Sequence, residues 1–82
     1  MKKLYVGNLP YSVDDSALSD LFSEYGEVLS AVVITDRASG RSKGFGFVEM
    51  EDKDADTAMT KMNGKEMEGR TLKISEARPK RD

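Results

Sequence analysis

The chain has 82 residues, and it contains no cysteine and no histidine. Disulfides are therefore excluded, and the usual zinc ligand sets and histidine-based general bases are missing. Long apolar runs are also lacking, and Met1–Lys3 leads directly into strand-like sequence, so we predict neither a membrane span nor a signal peptide. We accordingly expect no metal, no cofactor, no membrane contact and no enzymatic activity.

Two partial motifs also fail to support catalysis or metal binding. The acidic run that starts at Asp52 imitates a calcium-binding loop, but Thr57 and Asn63 stand where that loop needs glycine and glutamate. Gly44-x-Gly46 lacks the third glycine and the following helix of a dinucleotide site. We read the acidic run as the start of a helix.

The charge is distributed unevenly along the chain, although its formal net value is only −2. Five acids and no base lie between Asp14 and Glu27, and a second acidic stretch runs from Glu49 to Asp56. Basic residues lie instead near the N-terminus, at positions 37–43 and from position 70 onward. Since the screening length at physiological salt is about 8 Å, a local basic surface can attract phosphates while a distant acidic surface is partly screened. A nucleic-acid partner is thus compatible with the net charge.

The stretch Lys43–Met50, with the sequence KGFGFVEM, carries the strongest functional signal. Alternate side chains of a strand point to opposite faces, so Lys43, Phe45 and Phe47 share one face and the two glycines share the other. Glycines behind exposed rings weaken a strand. The pattern therefore favours a platform on which nucleobases stack, with a lysine placed for a phosphate. The alternative is a core strand in the other register, with both phenylalanines buried.

The periodicity of the whole chain predicts the order strand, helix, strand, strand, helix, strand. Asp14 is the expected N-cap of the first helix and Asp52 that of the second; Gly26 and Gly64 are the expected stops. Right-handed crossovers would place both helices on one face of a four-stranded antiparallel sheet, which is an α+β architecture. The strands are expected at residues 3–9, 28–35, 43–50 and 71–75.

The two helices have apolar surface for only one face of that sheet. The other face is left uncovered and carries Tyr5, Phe45 and Phe47, with Val32 and Ile34 nearby. An exposed apolar patch on a soluble domain usually marks a binding site.

With these motifs in this order, residues 3–78 resemble the RNA recognition motif family. The family octamer Lys/Arg-Gly-Phe/Tyr-Gly/Ala-Phe-Val-x-Phe/Tyr is matched from Lys43 to Val48, and Met50 replaces the final aromatic residue. Leu4–Leu9, with the sequence LYVGNL, represents the family's hexamer about forty residues earlier. The resemblance implies a ferredoxin-like βαββαβ sandwich as one domain, residues 1–78, followed by a disordered basic tail at 79–82. The layout is similar to the small single-motif RNA-binding proteins of bacteria.

The resemblance also implies that the sheet aromatics stack bases of single-stranded RNA. Tyr5 would stack one base and Phe47 its neighbour, Phe45 would lie against the sugars, and Lys43 would pair with a phosphate. Asn8 is expected to hold a turn rather than read a base. Other positions are expected to reach base edges or phosphates, with ordinary solvated side chains as the alternative for each; they are Lys3, Ser30, Val32, Ile34, Arg41, Lys73, Ser75, Ala77 and Arg78.

Two other functions remain open at this point. One is a single-stranded DNA binder, because stacking tolerates both sugars. The other is a protein-interaction module of the same fold that uses the acidic helix surface between Asp14 and Glu27. For the RNA-binding interpretation we expect a monomer in the absence of RNA, located in the cytoplasm, or in the nucleus if the source is eukaryotic.

Overall fold

Four strands form an antiparallel sheet in the spatial order β2-β3-β1-β6, which confirms the predicted fold class. The computed structural model describes residues 1–77, so Arg78 and the predicted tail lie outside the described residues. The helices are α1 (Asp15–Ser23) and α2 (Asp52–Met62). The strands are β1 (Lys2–Gly7), β2 (Val28–Thr35), β3 (Ser42–Met50), β4 (Glu66–Met67), β5 (Arg70–Thr71) and β6 (Lys73–Glu76).

Helix α1 begins where the sequence predicts it. The Asp14 side chain accepts a hydrogen bond from the Ala17 amide at 2.8 Å, which satisfies one of the unpaired N–H groups of the first turn. Leu18 and Phe22 are fully buried one turn apart, so the helix places its apolar stripe on the sheet. Asp15 adds a contact that the sequence did not reveal, because its carboxylate accepts the Val33 amide of β2 at 2.7 Å.

The prediction that Asp52 caps α2 is wrong by one residue. Asp52 is the first residue of that helix, and Glu51 is the N-cap, without a side-chain hydrogen bond to the helix. Ala55, Ala58 and Met62 are buried along one side of the helix, as predicted. Acidic residues in the first turn interact favourably with the helix dipole. A run of acidic residues therefore indicates that a helix starts there, but it does not identify which of them is the N-cap.

The predicted final strand at 71–75 is also wrong in its extent. Arg70–Thr71 pairs with Glu66–Met67 in a separate two-stranded hairpin, and the sheet strand β6 begins only at Lys73. The turn between the hairpin strands is Glu68-Gly69, and both residues have positive φ values, of 51° and 79°. A two-residue turn of this kind favours a hairpin, because its twist matches that of the paired strands. The sequence pattern did not predict the partner strand Glu66–Met67.

The hydrophobic core lies entirely between the helices and the sheet. Val6, Val48, Met50 and Ile74 of the strands are buried in one cluster with the apolar residues of both helices. Phe45 and Phe47, in contrast, are only half-buried, which settles the register of β3 in favour of the predicted alternation. We call the sheet face opposite the helices the open face.

Gly46 has a packing role that the sequence pattern did not indicate. A Cβ atom at this position would lie 2.4 Å from the carbonyl oxygen of Val32 and 3.1 Å from the Cδ2 atom of Leu18. The glycine therefore allows strand β2 and helix α1 to approach β3 closely. The absence of a side chain here stabilises the core rather than weakening the strand.

We predict that Gly46→Ala destabilises the protein by about 1–3 kcal/mol, which is typical of an overpacked core. The clash involves a backbone carbonyl, which cannot move without disturbing the β2–β3 pairing. Urea unfolding followed by circular dichroism measures the free energy of unfolding. Glu49→Ala, on the same strand but on the open face, is the matched control and should cost less. Equal stability of Gly46→Ala and the unmodified protein would contradict the packing argument.

Candidate nucleic-acid interface

Three aromatic rings form one cluster on the open face. Tyr5 and Phe47 stand directly opposite each other in the β1–β3 pairing, and their ring centroids are 5.9 Å apart. Phe45 lies 5.8 Å from Tyr5 and 6.3 Å from Phe47, nearly perpendicular to the latter at 88°. Offset and edge-on contacts of this kind stabilise the rings mutually. The sequence predicted these three residues as a platform, and the fold brings all three together.

Gly7 determines how the Tyr5 ring lies. A Cβ atom at Gly7 would be 2.8 Å from both the Cε2 atom and the hydroxyl oxygen of Tyr5. The ring therefore extends along β1 over this glycine, where any larger residue would displace it. Gly7 belongs to the predicted hexamer, but its effect on the ring could not be deduced from sequence alone.

Lysines accompany the rings, and no carboxylate of the described residues pairs with them. Lys3 Nζ lies 5.0 Å from the centroid of the Phe47 ring, which is a cation–π distance. Among residues 1–77, Lys3, Lys43 and Lys73 form no ion pair. Lys2 points elsewhere, and its hydrogen bond to Asp56 raises its pKa above the usual value. Positive charge is thus available next to the aromatic cluster.

The remaining predicted site residues surround the cluster on the neighbouring strands. Ser75 of β6 stands opposite Tyr5 and Val32 of β2 stands opposite Phe47. Val32 is 41% exposed, which is unusual for its residue type and places an apolar side chain beside the rings. Ser30 and Lys73 are exposed and Ile34 is half-buried on the same strands.

Two grooves continue from the cluster toward the two ends of β3. One, of about 460 Å³, joins Phe47 to Lys3 and Ala77. The Ala77 amide donates to the Lys3 carbonyl at 2.7 Å, so of the Ala77 backbone groups only the carbonyl could contact a ligand directly. The other groove, of about 1040 Å³, joins Phe45 to Arg41 and the loop before β3. Arg78 is the one predicted site residue outside the described range.

The described part of the chain contains neither a metal-binding cluster nor a helix that could span a membrane. No three histidine, cysteine, aspartate or glutamate side chains between residues 1 and 77 lie close enough together to hold a metal ion. Neither helix in this range has the length and apolarity needed to cross a membrane.

The family model for the RNA recognition motif matches residues 4–73 of the chain. The chain belongs to this family. The two motif strands β1 and β3 are the central strands of the sheet, so the family assignment and the position of the aromatic cluster agree.

The relatives of this recognition motif come from several kinds of organism. A protein of Nostoc described as putative RNA-binding protein RbpE is 50% identical over 80 residues, which cover 96% of the chain and 81% of the relative. Chloroplast ribonucleoproteins of tobacco species, spinach and Arabidopsis also match, and the chain spans only 22–35% of their length.

Solved structures are similar to the recognition motif over nearly its whole length. The crystal structure of RNA binding protein PG1 has a TM-score of 0.92 and 47% identity, with complete coverage of both chains. The recognition motif of Rna15 with bound RNA (GU) has a TM-score of 0.82 and 32% identity, and it covers 92% of this chain and 81% of that one.

Sequence reasoning missed Tyr11 and Arg70 as candidate binding residues of the recognition motif. Tyr11 is 65% exposed, and the Arg70 guanidinium carbon lies 4.9 Å from its ring centroid. The two residues are far apart in the chain, and their contact depends on the unpredicted β4–β5 hairpin. A basic residue just after a tight turn was the sole signal in the sequence.

We predict that Gly7→Ala moves the Tyr5 ring while the fold is retained. The new methyl group would contact the far end of a side chain that can rotate, so little stability should be lost. Aromatic NMR chemical shifts of Tyr5 and Phe45, which report ring-current contacts, should change. Tyr25, on the helix side of the sheet, provides the internal control, and its shifts should remain. Unchanged Tyr5 shifts would contradict the proposed dependence of the ring on Gly7.

Proposed function

We propose that this protein binds single-stranded RNA on the open face of its sheet. The observation that carries the proposal is the cluster of three half-buried rings on the two central strands, beside lysines that form no ion pair within residues 1–77. Unpaired bases present flat apolar faces, and rings on a sheet can stack on them without reading their sequence. The relative described with bound RNA (GU) supports the same ligand class.

Base stacking on this surface would supply much of the free energy that useful binding needs. Stacking contributes about 1–3 kcal/mol per base, and a micromolar affinity needs about 8 kcal/mol. Tyr5 and Phe47 would each hold one base, and Phe45 would contact the sugars between them. Lys3 lies over the Phe47 ring in the absence of RNA. When a base stacks on that ring, the Lys3 side chain must move aside or contact the phosphate of the same nucleotide.

Base choice and phosphate contacts would come from the residues around the cluster. Ser30, Lys73 and Ser75 have exposed side chains and would form hydrogen bonds with base edges. Lys43 and Arg41 would contact phosphates near Phe45. Hydrophobic contacts with the bases would come from Val32 and Ile34.

Our first prediction for this function concerns Phe47. Phe47→Leu should weaken binding of a single-stranded RNA at least about tenfold, because the side chain keeps its bulk but loses its ring face. Fluorescence anisotropy with a labelled oligoribonucleotide of degenerate sequence measures the affinity. The free energy of unfolding should fall by only about 1 kcal/mol, since the ring is half-buried on the open face.

Phe47→Tyr is the matched control, because it keeps the stacking surface and should bind within about threefold of the unmodified protein. A DNA oligonucleotide of the same sequence tests the single-stranded DNA alternative in the same assay. RNA affinity that is insensitive to Phe47→Leu would exclude the platform. Equal affinity for DNA would broaden the ligand class without removing the platform.

The second prediction concerns ionic strength. Each phosphate neutralised on a single strand contributes a slope of about −0.7 to the plot of log affinity against log salt. If Lys3, Arg41 and Lys43 each contact one phosphate, the slope should be about −2. Lys43→Gln should make the slope less steep by about 0.7, whereas Lys53→Gln on helix α2 should leave it unchanged. An RNA affinity independent of salt would contradict the proposed phosphate contacts.

Further properties belong to the same proposal. We expect a monomer without catalytic activity, metal or cofactor, in which residues 1–78 belong to one domain. We propose a cytoplasmic location, as for a bacterial protein that binds transcripts, while noting that the plant relatives are named as chloroplastic. A module that binds proteins through its acidic helix surface is the competing function, and no contact within residues 1–77 specifically favours it.

A further inference from the structure

Tyr11 is an exposed aromatic residue just beyond the end of β1, and it is not part of the three-ring cluster. It is 65% exposed, which is high for a large ring with an apolar face. The guanidinium carbon of Arg70 lies 4.9 Å from its centroid, and the two groups form a cation–π pair. A base stacking on an arginine-backed ring would gain from both the ring surface and the positive charge.

A chain of hydrogen bonds holds this pair in position. Asn8 has a left-handed conformation, with φ of 60°, and its side-chain amide donates to the Thr71 carbonyl at 2.8 Å. Arg70 Nη1 donates a hydrogen bond to the side-chain oxygen Oδ1 of Asn8 at 3.2 Å. The Leu9 amide donates to the Gly44 carbonyl at 2.7 Å, which ties the same loop to β3. Asn8 therefore holds the turn, as predicted, and it also orients Arg70.

The pair lines a groove that opens onto the aromatic cluster. This groove, of about 510 Å³, contains Tyr5, Phe45, Lys43, Tyr11, Arg70 and Lys73 among its walls. Three cations and three rings thus surround one continuous space. Arg70 uses one of its five N–H donors on Asn8 and forms no ion pair within the described residues, so donors remain for a phosphate.

We propose that Tyr11 and Arg70 form an additional nucleotide subsite, which extends the RNA path beyond the sheet at its Phe45 end. A base stacks on the exposed Tyr11 ring, and Arg70 contacts the phosphate between that base and those held by the sheet. This inference rests on the proposed RNA-binding function. The competing explanation is that the Tyr11–Arg70 contact serves only to hold the β4–β5 hairpin against the loop after β1.

The test uses degenerate-sequence oligoribonucleotides of two to six nucleotides and compares the variants along this length series. The sheet is expected to hold two or three bases, so the unmodified protein should gain affinity again when a further nucleotide reaches Tyr11. Tyr11→Leu should remove that later gain, at least about fivefold, while binding of the shortest oligomers is unchanged. Arg70→Gln should reduce the same gain. Phe47→Leu should instead weaken binding at every length.

Tyr11→Phe is the matched control, since it keeps the ring and should preserve the later gain. Thermal unfolding of Tyr11→Leu and Arg70→Gln shows whether either change damages the hairpin. If the affinities of Tyr11→Leu match those of the unmodified protein at every length, the subsite is overturned while the sheet platform stands. If Tyr11→Leu weakens binding equally at every length, the Tyr11–Arg70 pair has a structural role and the subsite is also overturned. If no oligoribonucleotide binds the unmodified protein, both the subsite and the proposed function fail.

Discussion

The structure depends on an unequal division of apolar surface between the two faces of one sheet. Helices of 9 and 11 residues extend about 14 and 17 Å and can cover a four-stranded sheet on one side only. Every buried apolar side chain of the four sheet strands therefore points toward the helices. The opposite face has to be occupied by water or by a ligand, so aromatic side chains placed there remain accessible and are useful only if something binds them.

Strict alternation made the main features predictable from sequence. In β3 the side chains at even positions fill the core, and those at odd positions form the open face, so one register assignment fixed the environment of Phe45, Phe47 and Val48 together. The predicted cap Asp14 placed the start of helix α1 correctly, because it satisfies unpaired backbone groups of the first turn. The predicted stop Gly26 lies two residues beyond the C-cap, Glu24. For α2 the stop at Gly64 directly follows the C-cap, but the N-cap was less exact because several acidic residues compete for that position.

Features that depend on close approach or on distant contacts could not be predicted. Gly46 appeared to weaken its strand until the positions of Leu18 and the Val32 carbonyl showed what a side chain would strike. The Asp15–Val33 hydrogen bond joins residues 18 apart, and the Arg70–Asn8 contact joins residues 62 apart. Periodicity describes one element at a time, so it identifies the surface of a strand but not the residues that a later loop brings beside it.

Placement of the rings on the two central strands has a consequence for dynamics. β1 and β3 are each paired on both edges, so their backbone amides should exchange with solvent only through the larger openings of the molecule. Local opening at the tips of loops would leave the ring positions unchanged. A flexible single-stranded RNA would then lose conformational freedom on binding, while the protein would lose little. The entropy of association would therefore be set mainly by the RNA.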